Sequence, residues 1–192
     1  GYINPDQVTF DYLEGRRFVP KGGDFAKAVE YWKGIASDRD AAYDDRFDLD
    51  ADTLVPMVAW GINPGQAVGV DEKLPRLGEL KTEDREAAEL AYVHTRFTPG
   101  QPIKGQKIDV AFIGSCTNGR IEDLREAARV VRGHRAASHV KALVVPGSQA
   151  VARQAAVEGL PELFREAGFQ WRGAGCSMCL GMNPDVLVGD QI

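Results

Sequence analysis

Beyond residue 107 the apolar residues fall into two kinds of run. Residues 108–113, Ile-Asp-Val-Ala-Phe-Ile, and 140–145, Val-Lys-Ala-Leu-Val-Val, are short and nearly continuous. Short apolar runs between turn residues predict buried strands. Between them, Ile121, Leu124, Ala128 and Val131 recur at helical spacing, which predicts a helix over 121–132 with Gly133 as its stop. After the second run, Ser148 is placed to cap a helix over 149–158 that Gly159 ends. Pro161 opens a further short helix, at the position where proline is favoured, and Gly168 closes it. Residues 169–171, Phe-Gln-Trp, predict a third strand. Strand, helix, strand and helix with short connections predict an α/β fold with a parallel sheet and right-handed crossovers.

The first hundred residues are less regular. Asp24 is placed as the N-cap of a helix over 25–35, with Phe25, Val29, Trp32 and Ile35 on one face. Residues 38–52 are acidic and predict a solvated connection, within which 47–50, Phe-Asp-Leu-Asp, alternate as a short strand would. The turn-rich patch 60–65 lies near a lobe boundary. Thr82 is placed to cap a helix over 83–93, and Pro99, Gly100 and Pro102 break the chain after it. The expected division is 1–55, the remainder of an upstream α/β lobe, and 56–192, a second lobe incomplete at its C-terminal end.

Composition narrows the functional classes. The 192 residues are 44% apolar and 27% charged, with a formal net charge of −5. A chain of this length buries a core without disulfides. Mixed charge with a mild acidic excess argues against a nucleic-acid binder. No apolar stretch approaches the length of a membrane span, so no membrane partner is expected.

Three cysteines carry the candidate chemistry: Cys116, and a C-x-x-C made by Cys176 and Cys179. An odd count argues against a secreted disulfide framework. Three thiolates fall one short of a structural zinc site, and His94, His134 and His139 adjoin no cysteine. A thioredoxin-type pair would leave Cys116 unused. A cubane iron–sulfur cluster with one open iron suits three thiolates, and inert buried thiols remain the plain alternative. In a parallel sheet, ligands collect beyond the carboxyl ends of the strands. Cys116 follows the first strand and Cys176 the third, which predicts that both reach one rim. A cubane needs its ligand sulfurs about 6–7 Å apart, given iron–sulfur bonding. In the turn 114–119, Ser115, Thr117 and Asn118 serve either as helix caps or as donors to a cluster or substrate. The helix 121–132 carries Arg125 and Arg129, flanked by Arg120 and Arg132, among acidic residues, the pattern of a solvated face. Trp32, Trp60 and Trp171 are read as packing residues, and Pro146-Gly147-Ser148 as a cap rather than an anion site.

At these residues the sequence resembles the aconitase superfamily. Phe112-Ile113-Gly114-Ser115-Cys116-Thr117-Asn118-Gly119-Arg120-Ile121-Glu122-Asp123-Leu124-Arg125 is similar to its first cluster-ligand motif, and Gly175-Cys176-Ser177-Met178-Cys179-Leu180-Gly181-Met182-Asn183-Pro184-Asp185 to its second. Val144-Val145-Pro146-Gly147-Ser148 matches a strand-to-helix turn between them. The likeness extends upstream through Asn4-Pro5-Asp6, Pro20-Lys21-Gly22, Tyr31-Trp32 and Trp60-Gly61-Ile62-Asn63-Pro64-Gly65-Gln66. Its wording is nearest the branch of large subunits that act on isopropylmalate.

The resemblance implies aconitase-like three-layer lobes with a largely parallel sheet. It implies a [4Fe–4S] cluster on Cys116, Cys176 and Cys179, in the lobe 56–192. It implies a cytoplasmic hydro-lyase of leucine biosynthesis that converts 2-isopropylmalate to 3-isopropylmalate by dehydration and rehydration. Its partners would be a small hydroxy-dicarboxylic acid and a separate small subunit carrying the serine base. Homoaconitase-type and methylthioalkylmalate-isomerase-type enzymes share these motifs, and a non-enzymatic metal or redox module is a second class. The family's full subunit is more than twice this long, and its other active-site motifs have no counterpart here. The sequence is therefore expected to be a central piece, inactive alone, with no catalytic residue assigned beyond the cluster ligands.

Overall fold

The structure, a computed structural model, describes residues 3–181 and 184–192. Met182 and Asn183 of the second motif lie outside the described residues. The chain divides into two compact units, Gly1–Leu54 and Val55–Ile192.

The first unit holds two helices, α1 (Gln7–Leu13) and α2 (Gly23–Gly34). Asp6 caps α1, its carboxylate accepting from the Thr9 backbone N–H at 2.8 Å. Phe10 is the buried residue of α1, and its ring lies 6.2 Å from Trp32 of α2, stacked on it. Phe25 meets the same indole edge-on at 6.0 Å, so Trp32 packs as expected. Asp24 does not cap α2. The cap is Gly22, at φ 57°, which needs no side chain, and Asp24 stands inside the first turn paired with Lys27. Residues 47–50 form no strand: Phe47 and Leu49 are exposed, and alternation without a neighbouring strand has nothing to hydrogen-bond.

The second unit opens with an antiparallel hairpin, β1 (Met57–Ala59) against β2 (Ala67–Gly69), with Val58 opposite Val68. The patch 60–65 is its turn. The Gln66 side-chain oxygen accepts from the Ile62 backbone N–H at 2.6 Å and holds that turn closed. Trp60 is buried and stacks on Tyr92 of α3 (Thr82–Thr95) at 4.7 Å, the centre of a first apolar cluster with Val68, Leu74 and Ile103. Thr82 is the first helical residue rather than the cap, which Lys81 occupies without a side-chain bond.

The remainder builds the site's scaffold. In order come β3 (Val110–Gly114), the single turn α4 (Ser115–Asn118), α5 (Ile121–Val131), β4 (Lys141–Val145), α6 (Gln149–Val157), α7 (Leu160–Glu166) and β5 (Gln170–Trp171). The sheet runs β3-β4-β5 and is parallel throughout, with Phe112 opposite Leu143 and Leu143 opposite Gln170. The predicted parallel α/β sheet is therefore present. Ser148 caps α6 through the Val151 N–H, as its position predicted. Leu124 and Ala128 of α5, Ala155 of α6 and Phe164 of α7 close over Val144 in a second apolar cluster. Phe164 touches Phe169 and Trp171 at ring distances of 5.8 and 5.9 Å. The arginine face is ion-paired: Arg120 to Asp123, Arg129 to Glu126, and Arg125 bidentate to Glu158 at 2.9 and 2.7 Å. The Arg125 guanidinium holds the Glu158 carboxyl at about 2, and Gln154 adds to the effect.

Candidate functional site

The carboxyl end of β3 passes directly into the turn that carries Cys116. Gly114 makes this possible. Its φ is 103°, and a Cβ there would stand 2.1 Å from the Val145 carbonyl oxygen of the neighbouring strand. Only glycine allows the backbone this close to β4 while it reverses. The expected open turn over 114–118 is thus one turn of helix, α4. Gly147 donates its N–H to the Gly119 carbonyl at 2.8 Å, tying this turn to the one that follows β4.

Cys176 follows β5 by a few residues, and Cys179 lies in the turn after it. Because the three strands are parallel, both cysteine segments emerge at the same edge of the sheet. The side chains meet there. The Ser115 hydroxyl donates to Cys116 Sγ at 3.8 Å and lies 3.1 Å from Cys179 Sγ. Those two legs cap the separation of the Cys116 and Cys179 sulfurs at about 6.9 Å. Cys116 Sγ further contacts the Thr117 hydroxyl at 3.9 Å. The hydroxyls of Ser115 and Thr117, the largest influences, pull the Cys116 thiol below its usual range, which favours the thiolate that metals bind.

All three cysteines are exposed in this chain. Ser115 beneath them is 4% exposed. Among the described residues, no three His, Cys, Asp or Glu side chains gather as ligands of a single metal ion. The Cys116 and Cys179 sulfurs stand no farther apart than a cubane's ligands do, and a donor set of thiolates alone is the chemistry such a cluster takes. The three cysteines fit an iron–sulfur cluster better than a mononuclear zinc ion.

Two features escaped the sequence. Ser115 holds a left-handed backbone, φ 76°, which nothing in Ser-Cys-Thr-Asn announces. Asp185, six residues past Cys179, is buried and receives Arg172 at 2.7 and 2.8 Å and Lys141 at 3.0 Å. The signal available was only that Asp185 ends the second motif, with one cation inside a strand run and one just after another. His134 and His139 are exposed and far in sequence from any cysteine, as expected.

Comparison with known proteins defines the class. The family described as the aconitase family (aconitate hydratase) matches residues 1–192. The chain belongs to the aconitase family, and its parallel α/β lobe is the aconitase-like fold. More narrowly, it is 57% identical over 192 residues to a 3-isopropylmalate dehydratase large subunit of Synechocystis sp.. It is 60% identical to the protein of that name from Rippkaea orientalis and 56% to that from Sorangium cellulosum. Each match covers 100% of this chain and 41% of the relative's length. Among the described residues, no helix is long and apolar enough to cross a membrane.

Proposed function

We propose that this chain supplies the cluster-binding lobe, residues 56–192, of the large subunit of a 3-isopropylmalate dehydratase. Cys116, Cys176 and Cys179 are the protein ligands of a [4Fe–4S] cluster. The reaction is the interconversion of 2-isopropylmalate and 3-isopropylmalate by loss and return of water, a step of leucine biosynthesis. The partner is a small subunit, in keeping with the large-subunit naming of the relatives. The compartment is the cytoplasm, where thiols stay reduced.

One observation carries this proposal: a single buried hydroxyl, Ser115, touches both the adjoining Cys116 sulfur and the sulfur of Cys179, 64 residues further along the chain. A redox pair confined to the C-x-x-C gives no reason for Cys116 to share that contact. When bound, the cluster supplies a Lewis acid, an iron without a protein thiolate, for the substrate hydroxyl. The chain's own tasks are to hold three thiolates, to leave the fourth position free, and to present them at an open rim. A fourth cysteine would close that position. Positioning of the substrate carboxylates and proton removal fall to other parts of the assembled enzyme.

Anaerobic reconstitution of the intact protein with ferrous iron and sulfide tests this. The expected result is broad visible absorbance with about four irons per chain, the content of a cubane, lost in Cys116→Ser. Zinc uptake that tolerates Cys116→Ser, with no iron–sulfur absorbance, would overturn it in favour of a metal module on the C-x-x-C.

A further inference from the structure

Two described non-glycine residues have positive φ, Arg96 and Ser115. Arg96 caps the end of α3, where left-handed backbone is routine. Ser115 instead opens α4, where glycine would be the unstrained choice. Strain kept at such a position asks for a reason in the side chain. The hydroxyl is not a helix cap: its recorded hydrogen-bond partners are both sulfur, Cys116 and Cys179. It lies buried under an exposed rim, where one small side chain reaches both motifs.

We propose that Ser115 is a positioning residue for the cluster ligands, an inference that rests on the proposed cluster site. Before metal arrives, its hydroxyl holds the Cys116 and Cys179 sulfurs within cluster spacing, so fewer conformations must be lost when iron binds. Afterwards the same hydroxyl remains a donor to a coordinated sulfur. Hydrogen bonds to ligand sulfur stabilise the more negative, reduced cluster and raise its potential. The left-handed backbone is what turns the hydroxyl beneath the thiols while the next residue, Cys116, faces outward.

The test uses the intact protein and three variants: Ser115→Gly, Ser115→Ala and Ser115→Thr. Glycine removes the hydroxyl and relaxes the backbone, so its fold is secure. Alanine removes the hydroxyl and keeps the strain, and threonine keeps the hydroxyl. Two quantities are read: the rate of anaerobic cluster assembly by visible absorbance, and the midpoint potential of the loaded cluster. The expected result is several-fold slower assembly and a lower potential for both glycine and alanine, with threonine nearer the wild type. Glycine behaving as wild type while alanine is slow would overturn the proposal, because backbone strain would then be the cause. Wild-type rates and potentials in both variants would overturn it alone. A wild-type chain that takes up no cluster would overturn the cluster reading beneath it.

Discussion

Asp185 accepts hydrogen bonds from Arg172 Nε and Nη2 at 2.7 and 2.8 Å and from Lys141 Nζ at 3.0 Å. Arg172 follows β5 and Lys141 begins β4, so one carboxylate fastens the second cysteine segment to two strands. Arg172, the stronger influence, and then Lys141 hold its carboxyl at about 2. An unfolded aspartate titrates near 3.9. A carboxyl depressed on folding stabilises above its unfolded pKa and loses that stability as pH falls through its folded one. The Asp185 contribution is therefore complete above about pH 4 and drains away toward pH 2. Its cations are about a third solvent-exposed, so roughly 1–2 kcal/mol is the reasonable size. Asp185→Asn should lower stability at neutral pH and flatten the acid limb. Urea titrations from pH 6 to pH 2.5 would check this, parallel curves for the two proteins counting against it. Asp185 ends the second motif, but nothing in the sequence paired it with its cations, which lie 13 and 44 residues away. Periodicity reports which residues are apolar, and not which charges the fold brings together.

Among the elements, the β3–α4–α5 passage is held by backbone approach and by packing, and the two respond differently to substitution. Gly114→Ala would drive a Cβ to 2.1 Å from the Val145 carbonyl, in a backbone region costly to any other residue. The dihedral alone costs about 1–3 kcal/mol, and the clash must part β3 from β4 as well. The expected outcome is a destabilised protein whose cysteine rim is displaced, read as a fall in denaturation midpoint together with poor cluster assembly. Leu124→Ala in α5 removes a fully buried side chain from the cluster around Val144. Its cost should be about 2–5 kcal/mol, with the rim geometry spared, so cluster content per folded chain should stay near normal. The strands and helices from 108 to 171 were legible because each apolar run or helical stripe faces one local core. The ends were less so. Gly22 and Lys81 took caps assigned to Asp24 and Thr82, because cap geometry depends on how the chain enters the helix. The 47–50 alternation was misleading for a related reason: a strand is defined by its neighbour.

Across the whole chain, the meeting of the cysteine turns was legible further than the fold details that carry it. Parallel strands bring every strand-to-helix turn to one edge, so order along the sequence was enough to predict that Cys116 and Cys176 share a rim. Ser115 was offered as a cap or a donor, but its bridge between Cys116 and Cys179 was not predictable, because it depends on a left-handed serine. The two units, Gly1–Leu54 and Val55–Ile192, differ in their buried apolar residues. The second unit has two apolar clusters, whereas 38–54 is exposed almost throughout and lacks helix or strand apart from one 3-10 turn. Its aspartates have too little apolar surface around them to offset the entropy of ordering. Proteases need a segment that can leave the surface and extend, so exposed irregular chain is cut before packed helices. Arg39 and Arg46 offer trypsin two exposed sites there, the Arg46 side chain in a solvated pair with Asp48. Limited trypsin digestion of the native protein should cut at these residues before any site within 110–171, giving a large product that begins at Asp40 or Phe47. Mass spectrometry over a time course would identify the first product. A first cut inside α5, α6 or α7 would mean that the core around Val144 opens more readily than the acidic connection, contrary to the burial that defines the second unit.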